Sequence, residues 1–131
     1  MLGLFNFFGR SSALKALDEA FRAFDLHPAL VPEPVKLATI RLMQKTSDAD
    51  YTLTDADYTK AAELLSYVIL GADQFIANTS LGMGEQAEDR LDEAIEAGDS
   101  MDAQLVLLAV HSGVIHPTMA DLVESEISDA P

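Results

Sequence analysis

Apolar residues recur at steps of three and four along almost the whole chain, and each periodic stretch is bounded by helix-capping or helix-breaking residues. Leu14, Leu17, Phe21 and Phe24 set the pattern, with Asp18, Glu19 and Arg22 between them. This spacing puts one apolar stripe on an α-helix of 3.6-residue period and fits no half-buried strand. No segment shows period-two alternation between hairpin-type turns. The fold expected is all-α.

Punctuation divides the pattern into elements. His27-Pro28 closes the first helix, because a residue before proline is pushed out of helical geometry. Pro34 suits the first position of a second helix reaching about Lys45. Thr54 and Asp57 stand three apart as a capping box, with Leu53 and Tyr58 placed as a hydrophobic staple, so a third helix starts there. It runs through Leu65 and Val68 toward Phe75 and Ile76, with Gly71 as a kink or stop. NTSLGMGE reads as a loop before a fourth helix, EQAEDRLDEAIEA, which Gly98 ends. Asp99 or Ser100 caps a fifth helix, apolar on nearly every side from Ala103 to Val110 and so expected at the buried centre. Thr118 caps a last helix. At 131 residues the chain fits one core. The expectation is a single domain over 1–131, a compact bundle of five or six helices built from helical hairpins, with 1–11 an apolar N-terminal segment.

Two stretches resemble repeat units. ALDEAFRAFDLHP at 16–28 is similar to the second helix of a tetratricopeptide unit, and EAIEAGDSMDAQLVLLAVHSG at 93–113 resembles the helix, Gly-Asp turn, helix of α-solenoid repeats. Both resemblances imply helix-hairpin packing; no repeat period follows either of them.

Charge narrows the partners. The net charge is −14; residues 1–60 are nearly neutral, while from residue 61 onward Arg90 alone is basic against fourteen acidic residues. Such a half repels phosphate backbones, so no nucleic-acid partner is expected. Cysteine is absent, which removes thiol nucleophiles and disulfides and fits a reducing compartment. No apolar run approaches the roughly 20 residues that cross a bilayer. A cytoplasmic protein without stable membrane insertion is expected.

Catalytic and ligand motifs fail on inspection. Asp48, Asp50 and Thr52 match the first ligand spacings of a calcium loop, but Leu53 and Thr59 occupy the positions of its glycine and bidentate glutamate. His111 and His116 have no metal-ligand spacing, and Gly82-Met83-Gly84 precedes acidic residues that repel an anion. No cofactor is expected, and no catalytic chemistry is evident. The expected role is that of a protein-interaction or regulatory module binding a protein partner or a second copy. Two surfaces are the candidates. One is aromatic, with Phe5, Phe7, Phe8, Phe21 and Phe24 supplying five of the six phenylalanines; MLGLFNFFGR docks either on the chain's own first helix or on another surface. The other is the acidic face of the fourth helix, with Glu88, Asp89, Asp92 and Glu96. The alternative is a small-molecule-binding or enzymatic bundle with an interhelical pocket using Asp73, the charge inside VILGADQFIA, and a histidine.

Overall fold

The computed structural model describes the backbone of residues 2–46 and 52–129 and the side chains of residues 12–45 and 52–124. Among the described residues it is helical throughout. The helices are α1 (Leu2–Arg22), α2 (Glu33–Thr46), α3 (Asp55–Leu70), α4 (Ala72–Asn78), α5 (Leu81–Ala97), α6 (Met101–Ser112) and α7 (Pro117–Asp129), with a 3₁₀ turn at Pro28–Leu30. Seven α-helices replace the expected five or six because Gly71 breaks the long third helix in two. Its φ of 88° and ψ of 160° lie in a region that essentially only glycine occupies.

The termini follow local chemistry. At α3, Thr54 Oγ1 accepts from the Asp57 N–H at 3.3 Å while the Thr54 N–H donates to Asp57 Oδ2 at 2.8 Å, the reciprocal capping box. Ser100 caps α6, accepting from the Ala103 N–H at 3.1 Å. Gly98 and Gly113 end α5 and α6 in the left-handed region. Asp25 takes that role after α1 at φ 56°, and the Leu26 N–H reaches back to the Phe21 carbonyl at 3.1 Å.

Two expected boundaries are corrected. Helix α1 begins at Leu2, so the backbone of residues 2–11, within the segment 1–11 expected to stand apart from the first helix, continues it. Helix α5 begins at Leu81, capped by Ser80 Oγ accepting from the Met83 N–H at 3.1 Å. Gly82 and Gly84 therefore lie inside a helix that the sequence reads as a loop.

The centre is also corrected. Every residue from Ala61 to Val68 of α3 is buried, and α3 packs against α1, α4, α5 and α6. The helix expected at the centre, α6, leaves Leu107 39% exposed. An all-round apolar sequence marks a helix short of solvent-loving faces, but burial depends on how many neighbours surround it. Tyr67, Phe75 and Phe24 form an aromatic ladder across α3, α4 and the end of α1, with ring centroids 5.4 Å apart edge-on for the first pair and 5.9 Å stacked for the second. Asn78 Nδ2 donates to the Phe24 carbonyl at 3.1 Å and ties α4 to the same turn.

Candidate functional site

Helices α5 and α6 form a hairpin. The Gly98 backbone, at φ 76°, turns the chain, and Ser100 restarts it two residues later. Across the open side of this hairpin lies α7, which packs on α5. Among the described side chains the three helices do not close. Ala94 and Gly98 on one side and Ala103 on the other carry too little volume to meet, and they leave an apolar cavity of about 190 Å³ also lined by Ile95, Val106 and Val123. Leu107 lines it as well and, like Leu122 of α7 at 38%, remains substantially exposed. Close-packed interiors tolerate few voids of this size. The exposed face of α5 is acidic. Glu88 and Asp92, seven and three residues before Ile95, fall on the same side of α5, and both are exposed, as are Asp89 and Glu96. The charge of Glu88 and Asp92 is felt by Tyr67: burial, then these two carboxylates, push its phenol above the ordinary 10.0.

On the other side of α5 the one basic residue of the acidic half is consumed in a structural contact. Arg90 Nε and Nη2 donate to Asp102 at 3.2 and 2.9 Å, and Nη1 donates to the Lys60 carbonyl at 2.9 Å. Its Nη1 also lies 3.7 Å from the buried carboxylate of Glu63, which accepts from Gln86 Nε2 at 3.1 Å. This network joins α3, α5 and α6 and leaves the acidic face of α5 without a neutralising partner on its own helix.

The residues singled out from sequence are placed as follows. Phe21 and Phe24 are buried in the chain's own core and present no surface to a partner in this fold; an apolar stripe at helical spacing was filled from within. The side chains of Phe5, Phe7 and Phe8 lie outside the described residues, as do Asp48 and Asp50 of the calcium-loop reading. Asp73 is exposed in the first turn of α4. It is not among the residues lining the groove between α5, α6 and α7. Two histidines act as caps. His27 Nδ1 accepts from the Ala29 N–H at 3.1 Å, and His116 Nδ1 accepts from the Thr118 N–H at 3.2 Å. His116, with Pro117 following, thus takes the capping role expected of Thr118. His111 is exposed near the end of α6. Among the described residues no group of three or more His, Cys, Asp or Glu side chains is arranged to hold a metal ion.

The groove escaped sequence reading because its lining comes from three helices. Its one local signal is the small-residue pattern Ala94, Gly98 and Ala103 flanking the hairpin turn.

Compared with known proteins, the chain matches no family model, and no curated protein or solved structure is measurably similar to it.

Proposed function

We propose that this chain is a small acidic interaction module that holds a protein partner in the groove between α5, α6 and α7. The carrying observation is an apolar cavity of about 190 Å³, open to solvent, with the exposed Leu107 among its lining residues. Cavities of about 150 Å³ lined by aliphatic side chains accept a benzene ring, so the space suits one aromatic or branched side chain of a partner. Apolar pockets entered by one such side chain are the usual energetic centre of an interface. No helix among the described residues is long and apolar enough to cross a membrane. The enzymatic alternative has less support: Asp73 is in solvent and His116 Nδ1 is committed to a helix cap.

The test is nuclear magnetic resonance titration of the labelled protein with a synthetic amphipathic peptide bearing a Leu and Trp face. Amide shifts confined to Ile95, Gly98, Ala103, Leu107 and Val123, and lost in Leu107→Asp, are the expected result. Leu107 is 39% exposed in the wild type, and far-ultraviolet circular dichroism checks that the variant stays folded. Shifts located elsewhere, or none at all, overturn the reading.

A further inference from the structure

We infer that the occupant of this groove is a basic amphipathic helix of another protein, an inference that rests on the interaction reading above and adds the chemistry of the partner. Three observations combine. The cavity is apolar and takes one large side chain. Leu107 of α6 lines it as an exposed apolar group, and Leu122, next to the lining residue Val123 of α7, is exposed as well, so an incoming element finds more than one apolar contact. An amphipathic helix supplies such contacts at three- and four-residue steps along one face. The third observation is charge. Glu96 and Asp99 are exposed next in sequence to the lining residues Ile95 and Gly98, and Glu88 and Asp92 are exposed in the preceding turns of α5. Arg90, the only basic residue after position 60, is turned away into Asp102 and Glu63. An approaching polar face therefore meets unneutralised carboxylates and gains most from lysine and arginine at the flank nearest α5.

The same charge argues against the other occupants. A second copy would bring another net charge of −14 to the contact and set two acidic α5 edges near each other. Anionic lipid surfaces are repelled for the same reason. A basic helix has complementary shape and charge together.

Two synthetic peptides separate these cases. They share one Leu and Trp face and differ in the polar face, which is Lys and Arg in one and Glu in the other. Binding to the full chain is followed by tryptophan fluorescence, the protein having no tryptophan of its own. The basic peptide is expected to bind at least about tenfold more tightly than the acidic one, with the difference shrinking at high salt. Asp92→Lys combined with Glu88→Lys should reverse or abolish that preference, and Leu107→Asp should weaken the basic peptide by about tenfold.

Equal binding of both peptides, with Leu107→Asp still weakening each, overturns the basic-partner inference and leaves the groove reading intact. Binding of the basic peptide that ignores Leu107→Asp overturns both, since a charged surface alone then explains it. Failure of both peptides overturns the groove reading itself. Sedimentation of the protein alone decides on the second copy: a dimer that Leu107→Asp dissolves would replace the basic helix as occupant.

Discussion

Ile76 of α4 rests directly on the bare backbone of Gly84 in α5: a Cβ built on Gly84 would overlap the Ile76 side chain, with Cδ1 only 2.8 Å away. The two helices cross there with nothing between them but this isoleucine. Alanine is favoured over glycine within a helix by about 1 kcal/mol, so an open site would gain from the change. Overpacking costs about 1–3 kcal/mol, and Gly84 is buried with no room for the methyl group. Gly84→Ala should therefore destabilise the protein in urea melts. Ile76→Ala should cost less in that background than in the wild type, with a coupling of at least about 0.5 kcal/mol. A stabilising Gly84→Ala would mean that α4 and α5 separate more easily than this contact allows.

Arg90 yields a second prediction. Its side chain is 14% exposed and that of Glu63 9%, so removing the guanidinium leaves a poorly solvated carboxylate. Breaking a buried pair in this way costs about 3 kcal/mol. Arg90→Met should lose stability on that scale. Arg90→Lys should lose less but fall short of wild type, because an ammonium cannot reproduce the two-pronged contact with Asp102. Adding Glu63→Gln to Arg90→Met should recover part of the loss by removing the stranded charge. Chemical denaturation of the four proteins checks the order.

Local chemistry was legible from sequence where a signal and its effect lie within a few residues. The Thr54 and Asp57 box, the Ser100 cap and the glycine stop at 98 all stand where their residue types place them. The break at Gly71 was legible as a site, but not as a division into two helices. Long-range facts were not. The all-round apolar sequence of α6 does not say which of its sides stays uncovered, and so does not show Leu107 at a groove. Gly84 reads as a loop residue in isolation because the reason for its glycine, Ile76, sits in a different helix. Phe21 and Phe24 read as a possible surface until Phe75 is seen to stack on Phe24.

His116 supports a third prediction. Its ring caps α7 through Nδ1 and lies against Gly71, where an added Cβ would come within 3.1 Å of it. Its backbone N–H donates at 2.8 Å to the Val68 carbonyl of α3, a carbonyl near the helix end at Gly71. The ring proton is assigned to Nε2, since Nδ1 accepts from the Thr118 N–H. His116→Ala should cost about 1 kcal/mol, the usual size of a lost cap, and His116→Asn should recover most of it. Gly71→Ala should cost more than either, because it combines a positive φ with contact against the ring. Thermal melts of the three variants test the ranking; equal loss in His116→Ala and His116→Asn would show that ring packing, not the cap, is what the histidine supplies.

The fourth prediction concerns alkaline pH. Tyr67 is buried beneath α5, and burial first, then the charges of Glu88 and Asp92, raise its phenol above 10.0. The native phenol thus keeps its proton at a pH where that of the unfolded chain has lost it. Its contribution to stability is full below about pH 10 and is lost as pH rises through the folded value. Urea melts on the alkaline side should show a decline that is shallower in Tyr67→Phe, once both variants are referred to their own stability near neutrality. Tyr58 is raised as well, by burial and then by Asp57 and Asp55, so part of the decline should remain in that variant. Glu88→Gln combined with Asp92→Asn should lower the Tyr67 titration only partly, because burial is the larger cause. Resonance shifts of the labelled tyrosine rings follow each phenol separately. A Tyr67 that titrates at or below 10.0 in the folded protein would mean that water reaches the ring, and that α5 lies less tightly over α3 than the buried ladder of Tyr67 and Phe75 implies.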